Sequence, residues 1–254
     1  MDPAAVLAAF DEQVRRRPAA APPDGRVEDD GEVVRLFGAW NGVVWSDLSR
    51  TDADAVIAEQ VRRFAGRPWE WKHYSYDEPG DLRERLVAAG FTPDEEEALL
   101  IADVGDLALE VKPPPGVELR AVEDERDVAA FVAVHDEVFG GDYSRLGRTL
   151  LTALRERPDT VAAVVAWAGN TPISAARAEF HLGTGFVSLW GGGTLPGWRG
   201  RGVFRALVAY RAALAAARGF AHLQVDASPD SRPILRRLGF AELAMTTPFT
   251  HPGG

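Results

Sequence analysis

The sequence predicts an α/β fold of the α+β mixed-sheet kind, laid down twice in one chain, and three observations carry that expectation. Strand-like stretches rich in β-branched and aromatic residues are interleaved with stretches of helical apolar spacing along all 254 residues. The strand Phe186-Val-Ser-Leu-Trp190 runs through glycines 191, 192 and 193 and an arginine-rich turn straight into an amphipathic helix. The order strand, helix, strand, helix closing on Gly-Phe, strand occurs in the first half and again from Phe186 onward.

In the first half, a helix is expected from about Pro3 to Arg17, then a loop from Pro18 to Gly25 that proline and glycine keep irregular. Strands follow over Glu32 to Phe37 and Gly42 to Asp47. Thr51 is the expected N-cap of a helix whose Val56, Ile57, Val61 and Phe64 share one face. Trp69 to Tyr74 alternates large and polar residues as a half-buried strand does. The helix Asp81 to Ala89 ends at Gly90-Phe91, and Glu97 to Val104 is a further strand. Trp40, Trp45, Trp69 and Trp71 are expected mostly in a core, with the wall of a pocket as the alternative. Val111-Lys-Pro-Pro-Pro-Gly116 is a proline-stiffened join, which divides the chain into units 1–112 and 113–254.

The second unit begins with a strand from Val117 to Val122, helices from Asp124 to Phe139 and Ser144 to Arg157, and strands from Thr160 to Ala168 and Ile173 to His181 joined at Gly169-Asn170. After the strand at Phe186, the helix carries Val203, Leu207, Tyr210 and Leu214 on one face and stops at Gly219. A strand over Ala221 to Asp226, a helix ending at Gly239-Phe240 and a strand through Thr246 to Thr250 complete the chain. In the turn, Gly200 and Gly202 carry no Cβ, so a bulky anion can approach the amides. The first-turn amides of a helix have no partner within it, and the helix dipole adds partial positive charge there. Arg199, Arg201 and Arg205 surround the spot with guanidinium groups matched to phosphate oxygens. A basic surface turn with capping glycines is the alternative reading of the same residues.

Arg199-x-x-Gly202 at a strand-to-helix junction, after Thr194-Leu-Pro196, resembles the pyrophosphate-binding signature Arg/Gln-x-x-Gly-x-Gly/Ala of the GNAT N-acetyltransferase superfamily. Ser228-Pro-Asp-Ser231 through Gly239-Phe240 resembles that superfamily's late helix, and the resemblance covers roughly Gly116 to Phe249. It implies a tandem GNAT fold whose first unit is degenerate, since Asp47-Leu-Ser-Arg50 offers no Arg-x-x-Gly turn and implies no cofactor there. It implies acetyl-CoA as co-substrate, held by Gly192, Gly193, Thr194, Arg199, Gly200, Arg201, Gly202, Val203, Phe204, Arg205, Ser228 and Ser231. Backbone groups of Gly192 to Thr194 would pair with the pantetheine arm, and a β-bulge is the other explanation of those glycines. Two departures stand out. Phe204 replaces the signature's final small residue, and Leu235 stands where many relatives carry a tyrosine that protonates the departing thiolate.

The implied reaction moves an acetyl group to a primary amine of a small molecule or peptide by direct attack in a ternary complex. It needs a neutral amine, an oriented thioester and a route for the thiolate's proton. Ser188 stands where one branch of the superfamily has a glutamate base, and serine does not do that job unaided. Glu179 and Asp226 are the candidate catalytic carboxylates, with His181 sharing a strand face with Glu179. Turn or cap duty is the plain alternative for Asp226, Ser228 and Ser231. His135 reads as a surface or packing residue, and with Asp142 and Tyr143 it lies where the acceptor site is usually shaped. An acyl-CoA-binding sensor or regulator without turnover is the alternative function, favoured by Leu235 and Ser188.

Composition fits this reading. With no cysteine, the chain has no disulfide, thiolate metal site or cysteine nucleophile, and no metal is expected. The start Met1 to Phe10 has an acid instead of a basic n-region, so a helix is expected there and not a leader. No apolar run approaches a membrane span. A net charge of −10 argues against nucleic acid and anionic membranes as partners and suits a cationic acceptor. A cytoplasmic location is expected. Acceptor identity stays open, as does oligomeric state, a homodimer being one assembly the reading allows. No Gly-x-Ser-x-Gly elbow, Gly-Lys-Ser/Thr phosphate loop or His-Glu-x-x-His metal helix is present.

Overall fold

The computed structural model describes residues 2–18, 25–38, 40–49 and 51–253. Most of the expected proline-rich loop, and Arg50, lie outside the described residues. In chain order the elements are α1 Pro3–Phe10, β1 Arg26–Asp29, β2 Val33–Phe37, β3 Gly42–Ser46, α2 Ala53–Arg63, β4 Trp69–Tyr74, α3 Leu82–Ala88, β5 Thr92–Pro93 and β6 Glu97–Asp103. They continue with β7 Val117–Ala121, α4 Glu125–Phe139, α5 Ser144–Glu156, β8 Val161–Ala168, β9 Thr171–Phe180, β10 Phe186–Thr194, α6 Val203–Ala217, β11 His222–Ala227, α7 Arg232–Arg237 and β12 Ala241–His251.

Two compact units emerge, one of Met1–Leu100 with Asp226–Leu235 and Glu242–Gly254, the other of Ile101–Val225 with Arg236–Ala241. The sequence repeat, divided at 112/113, and the compact units are therefore different divisions of the chain. The reason lies in β12, which zips antiparallel onto β4 from Thr246–Tyr74 to His251–Trp69 and so carries the C-terminal segment into the first unit.

In the first unit β1, β2 and β3 are antiparallel neighbours, and β3 runs parallel to β4. β1 carries little period-two apolar signal because it is an exposed strand of sequence Arg-Val-Glu-Asp. The core is aromatic: Phe37 stacks on Phe64 at 4.7 Å and Phe64 on Trp69 at 4.3 Å, with Trp71, Phe91, Leu82 and Phe249 around them. Trp69 and Trp71 are thus core residues. Trp40 is exposed and Trp45 half-buried beneath the Arg16 guanidinium.

Two helix ends differ from expectation. Asp52, not Thr51, caps α2, because Ala53 is already helical and only the Asp52 carboxylate reaches the Ala55 N–H. α1 gives way at Phe10 to a π-turn over Asp11–Arg15. That widened turn accompanies a buried ion pair. Arg15, 3 % exposed, donates from Nη1 and Nη2 to both Asp77 oxygens at 2.8 and 2.9 Å, from Nη1 to Asp11 and from Nε to the Val44 carbonyl. Asp77→Ala would leave the guanidinium buried without its main counter-charge. We expect a loss of about 3–5 kcal/mol in urea unfolding, and a loss under about 1 kcal/mol would show the pair to be dispensable.

In the second unit the sheet order is β11-β10-β9-β8-β7, parallel at β10–β11 and antiparallel elsewhere. Alternate residues decide what covers each face. Val161, Ala163, Val165 and Ala175 meet Val128, Phe131 and Val134 of α4 and Leu150 of α5. Val164, Ala166 and Ala176 meet Val203 and Leu207 of α6 on the opposite face. Tyr210 and Leu214 of α6 are only half-buried, while its alanines 206, 209, 212 and 215 are buried, so the covered surface is wider than one stripe. Gly219, at φ +78°, ends the segment as expected.

Candidate functional site

β10 carries a bulge between Trp190 and Gly193, where its pairing with β9 gains a residue. Each of its glycines lets something approach. A Cβ on Gly191, at φ +57°, would stand 2.5 Å from His135 Nε2; one on Gly192 would meet the Phe204 ring at 2.8 Å; one on Gly193 would meet Val138 and Phe139 at 2.9 and 3.0 Å. Gly191 and Gly193 thus face α4, and Gly192 faces α6. Ser174 Oγ bonds to both the Gly193 carbonyl, at 2.6 Å, and Thr194 Oγ1.

From Thr194 the chain passes through a 3₁₀ turn, Pro196–Trp198, to Gly202, which caps α6 without any side-chain hydrogen bond. Gly200 at φ +72° and Gly202 at φ +87° take left-handed backbone that a branched residue resists. Arg199, Arg201 and Arg205 are exposed. Arg199 Nε donates to the Thr194 carbonyl at 3.1 Å and so ties the turn to the end of β10, and Arg201 lies over the Trp198 ring. Val203 is buried in the core, which leaves its main chain as the part presented at the turn. Phe204 fills the space above Gly192. Beside the first turns of α6, a cavity of about 330 Å³ is lined by Arg205, Ala206, Ala209, Leu107, Lys112 and Leu238.

Further back along β10, its parallel ladder with β11 comprises Phe186–His222, Val187–Leu223 and Ser188–Gln224. At that last pair stands a polar chain. Ser188, 2 % exposed, donates its hydroxyl to Gln224 Oε1 at 2.7 Å and meets His181 Nε2 at 2.8 Å. Burial lowers the His181 pKa, opposed by the charge of Glu179, so the imidazole is neutral near pH 7. Glu179 pairs opposite Ser188 in the β9–β10 ladder, but its side chain is 42 % exposed and bonded to Arg177 Nε at 3.1 Å. The carboxylate buried by an inward face, on which its use as a base depended, is therefore not present.

Two side chains gain importance that their sequence context hides. His135 is buried; its Nδ1–H donates to the Phe131 carbonyl at 2.9 Å, burial lowers its pKa, and its ring packs against the β10 bulge. It is a packing residue. Arg211 on α6 is 2 % exposed, with Nε and Nη1 donating to the carbonyls of Leu207 and Arg177 at 3.0 and 3.2 Å. Burial pushes its pKa down to about 9. An apolar helix stripe predicts a hydrophobe at that position, and the available signal was an arginine placed one residue after Tyr210 and four after Leu207, beside the face expected to be buried.

The other expected site residues belong to the first unit. The Asp226 side chain, 3 % exposed, faces Lys72 Nζ at 3.2 Å, and the same ammonium donates to Glu97 at 3.0 Å. Burial would lower the Lys72 pKa, but Asp226, Glu97 and Glu70 together raise it well above its ordinary value. Ser228 and Ser231 act at the start of α7: Ser231 Oγ donates to the Ser228 carbonyl at 3.2 Å, and the same carbonyl accepts the Arg232 N–H at 2.9 Å. Leu235 is a core residue, 1 % exposed.

No protein-family model and no curated protein matches the chain. Solved structures do. A GCN5-related N-acetyltransferase from Kribbella flavida superposes with a TM-score of 0.65 at 22 % identity, over 99 % of this chain and 95 % of that one. A tandem GNAT protein from the clavulanic acid biosynthesis pathway superposes with a TM-score of 0.62 at 12 % identity, over 99 % and 94 %. The fold is that of a tandem GNAT protein. A conserved protein of unknown function from Staphylococcus epidermidis also superposes, with a TM-score of 0.66 at 11 % identity over 96 % of this chain and 97 % of that one.

On this GNAT fold the second unit gathers Gly192 to Thr194 and Arg199 to Arg205 into one glycine- and arginine-rich segment between β10 and α6, with Ser188, His181 and Glu179 further back on the α4 face of the sheet. Among the described residues, no helix is long and apolar enough to cross a membrane, and no cluster of His, Asp or Glu has the makings of a metal site.

Proposed function

We propose that this GNAT-fold chain is an N-acetyltransferase that moves an acetyl group from acetyl-CoA to a primary amine of a small molecule or peptide by direct attack in a ternary complex. The observation that carries this reading is the α6 N-terminus, capped by a left-handed glycine with no side-chain acceptor and ringed by Arg199, Arg201 and Arg205. Such a terminus suits a pyrophosphate. Main chain at Gly192 to Thr194, bare of side chains at the glycines, would hold the pantetheine arm. In the repeat, residues 113–254 hold the cofactor and residues 1–112 do not.

The acceptor must lose a proton to become a nucleophile. Ser188 accepts it as the serine hydroxyl turns from Gln224 and passes its own proton to His181 Nε2, whose neutral ring has a lone pair for it in the Nδ1–H tautomer. Glu179, paired with Arg177, stays an electrostatic neighbour that favours the imidazolium so formed. The amine nitrogen then bonds to the carbonyl carbon, the carbon–sulfur bond breaks with its electron pair on sulfur, and the second proton of the nitrogen leaves to water as the thiolate takes one from water, which gives the amide and free CoA. A net charge of −10 favours cationic acceptors.

Calorimetric titration tests the cofactor. Acetyl-CoA and CoA are expected to bind with about −8 kcal/mol, a micromolar Kd; absence of heat with both overturns the reading. A second reading, an acyl-CoA sensor without turnover, is favoured by the buried, chemically inert Leu235. Tight CoA binding with no transfer to any of a panel of primary amines, and no thioester hydrolysis, would select it.

A further inference from the structure

Arg211 is a cation without an anion. Its residue is 2 % exposed, its hydrogen bonds run to the neutral carbonyls of Leu207 and Arg177, and among the described residues no Asp or Glu lies within ion-pair distance of it. A buried charge left uncompensated is costly. The guanidinium points at a defined place. A Cβ on Gly192 would stand 2.8 Å from the Phe204 ring and 3.7 Å from Arg211 Nη2, so the guanidinium lies beside Phe204 on the α6 side of the β10 bulge. Neither the helix stripe nor the turn explains an arginine here, since a leucine or methionine would fill the same volume at no electrostatic cost.

We propose that Arg211 supplies the positive charge that stabilises the departing CoA thiolate, the task left open by Leu235. This rests on the reading that the pantetheine arm lies along Gly192 to Thr194. As the amine nitrogen bonds to the carbonyl carbon, the carbon–sulfur bond breaks and its electron pair stays on sulfur. The sulfur carries a full negative charge until it takes a proton from water on release. A fixed guanidinium close by, in a site of low dielectric, lowers the energy of that charge without needing a proton donor. Its hydrogen bonds to two main-chain carbonyls hold it in place before the charge develops.

The test needs no acceptor. CoA is bound to the wild-type protein and its thiolate absorbance near the ultraviolet edge is followed against pH, beside free CoA. The bound thiol is expected to titrate at least about one pH unit below the free one in the wild type, and at the free value in Arg211→Met. Arg211→Lys, which keeps the charge, is expected to retain part of the shift. Acetyl-CoA, neutral at sulfur, is expected to bind all three forms within about twofold. Equal thiol titration in wild type and Arg211→Met overturns the assignment. Failure of CoA to bind the wild type at all overturns the acetyltransferase reading instead. Should Arg211→Met not fold, an unshifted bound thiol in the wild type alone is enough to reject the proposal.

Discussion

His181→Gln is expected to lower kcat for transfer to a primary amine by about 10²-fold while leaving acetyl-CoA affinity unchanged. His181 lies in the second unit at the end of β9, away from the turn at α6, and its contact is with Ser188 at 2.8 Å. Glutamine preserves a hydrogen bond to Ser188 but has no lone pair that takes a proton near neutral pH. Ser188→Ala should give a loss of the same order, because it removes the link instead of the base. The pH profile separates this from a structural effect. Burial holds the His181 pKa below 6.5, and the charged group acting on it is Glu179, which opposes that shift. The base works when neutral, so the rate should rise with pH through a midpoint below 6.5 and stay level above it, and that limb should vanish in His181→Gln. The same sign holds for stability. A histidine with a depressed folded pKa favours folding above its unfolded value and weakens it as pH falls towards the folded one. An unchanged acid limb in the variant would remove His181 from the reaction.

The second large effect belongs to the turn. Gly202→Val should reduce acetyl-CoA affinity by about tenfold or more, since valine at φ +87° carries strain of about 1–2 kcal/mol and places a branched Cβ 3.3 Å from Arg205 Nη2. Arg199→Ala should cost a further charge-assisted contact, about 1.5–3 kcal/mol. Arg199 is exposed, and its bond to the Thr194 carbonyl is a single one. Thermal unfolding of the Arg199→Ala protein should thus stay close to wild type, so that calorimetry reads the anion site and not the fold. Wild-type affinity in both variants would displace the cofactor from this turn.

Much of the site's framework was legible because it depends on local order. Thr194-Leu-Pro196, Arg199, Gly200 and Gly202 lie within a few residues of each other, so their chain positions alone put glycine where the backbone turns and arginine around a helix start. The polar chain from His181 through Ser188 to Gln224 was not legible. Its members stand 7 and 36 residues apart and meet only because β9, β10 and β11 lie side by side in the registers that they take. Glu179 shows the converse: period two puts it on the same face as His181, but only side-chain packing decides that its carboxylate stays partly exposed against Arg177.

By itself, then, the sequence determined the mixed-sheet fold, the strand–glycine–arginine–helix segment and the absence of cysteine chemistry, all of them matters of composition or of spacing within a few residues. The tertiary structure decided the rest: that β12 returns to β4, that Asp226 is committed to Lys72, and that Arg211 lies buried beside Gly192 with no carboxylate partner among the described residues. Strand register, ion pairing and burial bring together residues far apart in the chain, and the spacing of neighbouring residues carries no record of which distant partner each one meets.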